Sequence, residues 1–264
     1  MDSVWEYRNL LLSGTAVTVQ LALASLTLSV VLGLIGASAK LAVNPIPRRI
    51  AGIYTTLVRG VPDLVLMMLL AGYAVVEDPK IPIVGEGDVE PNDTYVEQLV
   101  SGAQAAVDAV VSMGVADPER LLIGGHSYGA FTAANLLAHS DLFRAGIARS
   151  GAYNRSLTPF GFQSEQRTYW ESTETYIEMS PFTWAHRIDE PLLMLHGAED
   201  PNAGTYPMQS KRMYAAMKGN GAVVRWVELP LEEHGYRARE SIGHALWEMI
   251  RWADTWVKEA EPRE

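Results

Sequence analysis

Three residue types that together perform nucleophilic chemistry occur along the sequence in the order serine, aspartate, histidine. Ser127 lies in the pentapeptide GHSYG, which is a G-x-S-x-G motif. A serine hydroxyl is a poor nucleophile until a neighbouring base accepts its proton, so the motif needs a partner. Asp200 and His234 follow in the order that this motif requires. The three residues predict a site for acyl transfer, with Ser127 as nucleophile, Asp200 as acid and His234 as base.

The residues around Ser127 predict a sharp turn between a strand and a helix. An apolar strand candidate, Arg120–Ile123, precedes the motif, and a helix candidate, Phe131–His139, follows it. The glycines of the motif permit a tight turn that lifts the serine above a sheet. The backbone N–H of Tyr128, at the start of the helix, then faces developing negative charge and is the predicted oxyanion donor.

Asp200 and His234 each follow an apolar run that predicts a buried strand. Asp200 lies in the turn EDPN after PLLMLHG, and the carboxyl ends of parallel strands are where site residues gather. Glu199 is the competing acid, and a turn aspartate that only caps its loop is the structural alternative. His234 follows VVRWVELP and is the only histidine between the last strand and the last helix. The other histidines are less suited to the role of base: His126, His139, His186, His196 and His244.

Apolar periodicity predicts an alternation of strands and helices, which indicates a parallel sheet with right-handed crossovers. The predicted elements are strands at Gly72–Val76, Arg120–Ile123, Ala145–Arg149, Pro191–His196 and Val223–Leu229, and helices at 93–114, Phe131–His139, Met208–Lys218 and Ser241–Lys258.

Residues 71–258 resemble a known family over their whole length. The stretches GGHSYGAFTAANLLAHSDLFRAGIARSGAYNRSLTPFGFQSEQRTYWE, HGAEDPNAGTYPMQSKRMYAAMKGNG and EEHGYRARESIGHALWEM resemble the catalytic domain of the prolyl oligopeptidase family, in its glutamyl endopeptidase branch. The resemblance implies an α/β-hydrolase fold, here its fourth to eighth strands, with Ser127, Asp200 and His234 on the family's triad positions. It also implies a serine peptidase that cleaves peptides after glutamate through an acyl-enzyme, with no cofactor and no metal.

Arginines near the predicted site are candidates for binding a substrate carboxylate. Arg149 ends a predicted strand, and Arg155 and Arg167 lie in the loop that follows it. Guanidinium groups pair with carboxylates in a bidentate manner, which fits cleavage after glutamate. The alternative is that these arginines pair with acidic side chains of the chain itself.

The first 70 residues have a different character. They hold five basic and three acidic residues, a net charge of +2, so the remainder of a chain with net charge −10 carries −12. Residues 10–39 contain no charge and exceed the roughly 20 residues that a membrane helix needs. A cleaved signal peptide is a weaker alternative because the amino terminus is not basic. The run 61–76 is marginal as a second span.

The predicted membrane helix sets an expected topology. Basic residues that follow it, among them Lys40, Arg48 and Arg49, place the loop in the cytoplasm and the amino terminus outside. With one span, in the inner or plasma membrane, the hydrolase segment is cytoplasmic. Lipid is then a partner through residues 10–39. The acidic net charge argues against nucleic acid as a partner, and a chain without cysteine has no disulfides.

A second resemblance covers residues 1–70. The stretches LLLSGTAVTVQLALASLTLSVVLGLIGASAKL and RRIAGIYTTLVRGVPDLVLMMLL are similar to the start of a polar amino-acid ABC transporter permease. The predicted domains are therefore a membrane-helix segment, 1–70, and a peptidase segment, 71–264. A helix and a half cannot form a transport path, so transport is not inferred. An ATPase subunit is an expected partner only if residues 1–70 act as part of a permease.

The peptidase segment is expected to be shortened relative to its family. The sequence pattern lacks three parts of the family's structure: the propeller, the first three strands, and the loop that supplies a second oxyanion donor. Loss of one such donor costs roughly 10²–10³ in rate. Three hypotheses follow: a membrane-tethered serine peptidase or esterase, with or without completion by another chain, an inactive chimera of two gene fragments, and a membrane component of an amino-acid ABC transporter.

Overall fold

A computed structural model describes residues 63–77 and 79–261, together with the isolated positions 20, 37, 38, 41, 44 and 46. The chain divides into two compact units, residues 1–67 and 68–264. The membrane helix predicted over residues 10–39 lies outside the described ranges apart from three isolated positions. No helix within the described part of the chain is both long and apolar enough to cross a bilayer.

A parallel sheet organises the second unit. Four described strands pair in the order β1-β2-β3-β4, which is also their order along the chain. Every pairing is parallel, so a crossover connects each strand to the next. The strands are β1 (Leu122–His126), β2 (Ala145–Arg149), β3 (Leu192–Gly197) and β4 (Val224–Leu229).

Helices precede, connect and follow the strands. The α-helices are α1 (Asp63–Leu70), α2 (Tyr95–Ser112), α3 (Tyr128–His139), α4 (Thr173–Glu178), α5 (Pro207–Gly219) and α6 (Arg239–Ala253). Shorter 3₁₀ turns occur at Pro91–Thr94, Arg155–Leu157 and Pro181–Arg187, and a π-helical turn, Asp254–Lys258, continues α6.

The core lies where β2, β3 and α3 meet. All six residues of β3 are buried, as expected for a strand covered on both faces. Helix α3 is rich in alanine and leucine and is buried along most of its length, so it packs closely against β1 and β2. A rigid base of this kind holds the residues at the carboxyl ends of the strands in fixed positions.

The strand predicted at Gly72–Val76 is wrong. The structure has no strand there, because the segment is used to terminate α1. Gly72 adopts φ +92°, and the N–H groups of Gly72 and Tyr73 donate to the carbonyls of Leu69 and Met68, both at 3.0 Å. This is the hydrogen-bonded ending that glycine gives to a helix. The described part of the sheet therefore has four strands rather than the five that were predicted.

Candidate active site

Ser127 lies in the connection between β1 and α3 with a strained backbone. Its φ is +58° and its ψ is −114°, a conformation that a residue other than glycine rarely adopts. Its N–H donates to the carbonyl of Arg149 on β2 at 2.8 Å, which anchors the turn to the sheet. Strain that is held in place by surrounding structure is typical of a nucleophile turn.

A continuous chain of hydrogen bonds joins the three residues that the sequence singled out. His234 Nε2 lies 2.9 Å from Ser127 Oγ, and His234 Nδ1 lies 2.8 Å from Asp200 Oδ2. One imidazole therefore bridges the hydroxyl and the carboxylate, which is the geometry that activates a serine. Glu199, the competing acid, has an exposed side chain.

The Asp200 carboxylate is buried and accepts several hydrogen bonds. Besides His234, His196 Nε2 at 2.8 Å and Thr205 Oγ1 at 2.9 Å contact Oδ2, and the N–H of Asn202 donates to Oδ1 at 2.9 Å. Burial raises the pKa of Asp200, but the hydrogen bonds from His234, Asn202, His196 and Thr205 outweigh it and lower the pKa below its usual value. The carboxylate is therefore ionised at neutral pH and fixed in orientation.

The imidazole of His196 is the second ring that contacts the Asp200 carboxylate. His196 lies one residue before the end of β3 with a fully buried side chain, and its Nδ1 lies 2.7 Å from Ser210 Oγ on α5. Burial lowers the pKa of His196, although the contact with Asp200 opposes this. A neutral ring with its proton on Nε2 satisfies both contacts: Nε2–H donates to Asp200, and Nδ1 accepts from the Ser210 hydroxyl.

The ring of His126 packs against the ring of His234, the predicted base. The two ring centroids lie 4.8 Å apart. Burial, together with the charges of Arg149 and His234, lowers the pKa of His126 to about 4. A neutral His126 does not compete for protons at neutral pH and leaves His234 as the imidazole in contact with Ser127.

The loops that carry the acid and the base are bonded to each other. The N–H of Ala198 donates to the carbonyl of Leu229 at 2.9 Å, and that of Glu199 donates to the carbonyl of Glu232 at 2.9 Å. Gly197 lies so close to the second loop that a Cβ there would sit 2.1 Å from the carbonyl oxygen of Glu233. The two loops therefore position Asp200 and His234 as one body.

An open cleft lies beside the nucleophile. Tyr128, predicted as the oxyanion donor, is the first residue of α3, where a backbone N–H has no acceptor within the helix. That N–H is placed to receive negative charge next to Ser127. The residues that line the cleft are Ser127, Tyr128, Ala152, Arg155, Gln163, Asn202, Gly204 and Thr205.

The three candidate arginines occupy different surroundings. Arg149 ends β2, with its pKa lowered by burial, and it does not line the cleft among the residues that the structure describes. Arg155 is buried and lines the cleft. Arg167 forms ion pairs with Glu165 at 2.8 Å and Asp93 at 2.7 Å. Arg167 is thus engaged by carboxylates of the chain itself.

The Arg167 ion pairs lead to a stability prediction. Replacing Arg167 with methionine leaves the buried Glu165 carboxylate without its guanidinium partner, and we expect a loss of about 1–3 kcal/mol in the free energy of unfolding at pH 7. Hydrogen bonds from Arg167 lower the pKa of Asp93, and they also lower that of Glu165 against an opposing effect of burial. Groups with lowered folded pKa values stabilise the chain above their unfolded pKa and cease to do so as pH falls through the folded value.

The loss should therefore shrink below about pH 4. Denaturant unfolding of both proteins at several pH values measures it. An equal loss at acidic and neutral pH would contradict an electrostatic origin.

Fold and site together define a class of protein. A parallel sheet, a strained serine between strand and helix, and a hydrogen-bonded Ser–His–Asp arrangement at the strand ends describe an α/β-hydrolase-type serine hydrolase. The model of the prolyl oligopeptidase family matches residues 93–260, and the chain belongs to that family.

Curated relatives narrow the resemblance. Over 188 residues the chain is 61% identical to the probable chloroplastic glutamyl endopeptidase of Oryza sativa, covering 71% of this chain and 20% of that protein. The chain thus spans about a fifth of the length of this relative. A separate segment of 67 residues is 49% identical to the histidine/lysine/arginine/ornithine transport system permease protein of Salmonella typhimurium, covering 25% of this chain and 29% of that one. The chain joins a peptidase segment to a permease-like fragment.

A solved structure shares the architecture. The acylaminoacyl peptidase of Pyrococcus horikoshii aligns with a TM-score of 0.55 and 26% identity, covering 66% of this chain and 30% of that one. The prediction of an α/β-hydrolase-type peptidase segment with a parallel sheet is therefore confirmed, and the number of predicted strands is corrected as described above.

Sequence reasoning missed several residues around the site. It predicted only that His196 is less suited to the role of base than His234, and did not predict that this side chain contacts the same carboxylate oxygen as His234. It did not single out Thr205, which contacts both Asp200 and His234. The only available signal for His196 was its position at the end of a buried strand, four residues before the acid.

Proposed function

We propose that this chain is a serine peptidase that works through an acyl-enzyme on Ser127. The single observation that carries the proposal is the hydrogen-bonded arrangement of Ser127, His234 and Asp200 beside an open cleft. The arrangement belongs to the part of the chain that matches a peptidase family. The chain spans about a fifth of the length of its glutamyl endopeptidase relative. Catalytic activity of this chain is therefore itself part of the proposal.

The proposed mechanism assigns one task to each group. Ser127 Oγ attacks the scissile carbonyl carbon while His234 Nε2 takes the hydroxyl proton. Asp200 stabilises the imidazolium that forms, and the Tyr128 N–H donates to the oxyanion of the tetrahedral intermediate. His234 then returns the proton to the leaving amine, which departs and leaves an ester on Ser127. Water, activated by the same imidazole, hydrolyses this ester and regenerates the hydroxyl.

The proposed cleavage position is after glutamate. Relatives described as probable glutamyl endopeptidases are 61% and 58% identical to this chain. The matching segments of these relatives include Ser127 and the residues of its cleft. A preference for glutamate at the cleavage position is therefore proposed to be shared through this cleft. Peptides that differ only in glutamate or glutamine at the cleavage position test this preference directly.

Labelling with a fluorophosphonate tests the proposed nucleophile. We expect the purified full chain to become covalently labelled at Ser127, because only a serine activated by its neighbours reacts rapidly with this probe. Mass spectrometry of the digested protein locates the label. Ser127→Ala should abolish labelling, and Ser156→Ala, which alters an exposed serine after β2, should retain it.

The labelling result separates this proposal from the inactive chimera. A folded, monodisperse protein that is not labelled at Ser127 would contradict a serine peptidase in this chain. Labelling of another serine with equal efficiency would contradict the assignment of the nucleophile.

A further inference from the structure

Arg155 holds a positive charge inside the cleft wall. It follows β2 at the start of a 3₁₀ turn, it is only 3% exposed, and it lines the same cleft as Ser127. Its guanidinium carbon lies 3.9 Å from the ring centroid of Phe131 and 4.5 Å from that of Phe162. The two rings attract the cation.

One edge of this guanidinium has no hydrogen-bond partner. Within the described part of the chain, the Nε and Nη2 atoms of Arg155 are buried and unpaired. A buried cation is unfavourable unless a charge of opposite sign and hydrogen-bond acceptors compensate for the lost water. Burial lowers the pKa of Arg155 to about 10, so the group remains charged at neutral pH. The aromatic rings compensate for part of the cost and supply no hydrogen-bond acceptor in the plane of the group.

Two other arginines show what fits this edge. Arg167 donates through Nε at 3.0 Å and Nη2 at 2.8 Å to the two carboxylate oxygens of Glu165. Arg225 uses the same two nitrogens to bind both oxygens of Glu248. This side-on pairing is a bidentate geometry in which guanidinium and carboxylate are complementary. In Arg155 the equivalent pair of donors is vacant.

We propose that the unpaired guanidinium of Arg155 receives the side-chain carboxylate of the substrate residue whose carbonyl Ser127 attacks. This inference rests on the proposed function and identifies the residue that determines its specificity. Arg167 already binds two carboxylates of the chain, and Arg149 is not part of the cleft wall, so neither takes this role. Glutamate is selected over glutamine because the neutral amide leaves the guanidinium without a counter-charge.

Replacing Arg155 tests the assignment. Methionine preserves much of the side-chain volume and removes the charge and the donors. For Arg155→Met we expect the ratio of kcat/KM between matched glutamate and glutamine peptides to fall by about 100-fold, mostly through slower cleavage of the glutamate peptide. Arg155→Lys should recover only part of the ratio, because lysine keeps the charge but lacks the planar fork. Arg149→Met is the matched control and should leave the ratio unchanged.

Labelling distinguishes failure of this inference from failure of the proposed function. An uncharged fluorophosphonate needs Ser127 but not Arg155, so wild type and Arg155→Met should both be labelled. An unlabelled wild type contradicts the proposed function itself. A labelled Arg155→Met with an unchanged ratio overturns the role of Arg155.

A measurement on the unaltered chain covers the case in which the variant does not fold. Peptide aldehydes that end in glutamate or glutamine compete with the probe for Ser127. We expect the glutamate aldehyde to protect Ser127 at about 100-fold lower concentration. Equal protection by the two aldehydes overturns the proposal without any substitution.

Discussion

Replacing His234 with alanine is expected to lower kcat/KM for a glutamate peptide by roughly 10⁴–10⁶-fold. The imidazole is the sole group in the described structure that contacts both Ser127 Oγ and the Asp200 carboxylate, so its removal leaves the nucleophile without a base. Residual rate comes from substrate binding and the oxyanion donor alone. The second-order rate constant for fluorophosphonate labelling, measured alongside peptide hydrolysis, should fall in parallel.

The same variant tests whether the three residues act as one unit. Combining Ser127→Ala with His234→Ala should cost no more in peptide hydrolysis than either change alone, because each already removes the shared function. Additive losses from the two changes would show that Ser127 and His234 act independently, and the proposed mechanism would be wrong. The His126→Ala variant is not a suitable control, since His126 packs against His234. His139→Ala, on the far end of α3, is better placed as a control.

Replacing Gly197 with alanine is the second change for which we expect a large effect. The new methyl carbon would lie 2.1 Å from the carbonyl oxygen of Glu233 and 2.4 Å from that of Glu232. Both contacts are with backbone, so the loop that carries His234 must move away from the loop that carries Asp200. A displacement of about 1 Å in a catalytic group lowers the rate by about 10²-fold, and crowding of this kind also reduces stability by about 1–3 kcal/mol.

Gly235→Ala provides a control on the same loop. Gly235 is next to His234, but a Cβ at this position meets nothing within 4 Å. We expect its labelling rate and peptide hydrolysis to remain near those of the wild type. If Gly197→Ala and Gly235→Ala had the same small effect, the close packing of the two loops would not be what positions the base.

The triad residues could be predicted from the sequence because each follows an apolar run that forms a strand of the sheet. An apolar run predicts the strand, and a polar residue in the loop that follows it lies at the carboxyl edge of a parallel sheet. Ser127, Asp200 and His234 all carry this local signal, and their order along the chain agrees with the G-x-S-x-G motif. Local signals of this type need no knowledge of which elements pack together.

Surroundings formed by distant residues could not be predicted in this way. The environment of Arg155 depends on Phe131 and Phe162, which reach it from a helix before β2 and from a loop after it. The sequence therefore left Arg149, Arg155 and Arg167 as equal candidates. The fate of 72–76 likewise depends on neighbours: the apolar pattern suits a strand, but Tyr73 hydrogen-bonds to Asp254 at 2.6 Å beyond the end of α6. This contact adds to the local hydrogen bonds that end α1 at Gly72 and Tyr73, and the segment does not join the sheet.

The order of the strands in the sheet is the same as their order along the chain. The nucleophile, the acid and the base lie within residues 127–234, and the strands around them, β1 to β4, pair with one another in their order along the chain. Genetic recombination at any point upstream of the codons for β1 transfers the three triad residues together, with their spacing along the chain and the loops that hold them unchanged. The three triad residues are then inherited together, whatever sequence comes to precede them.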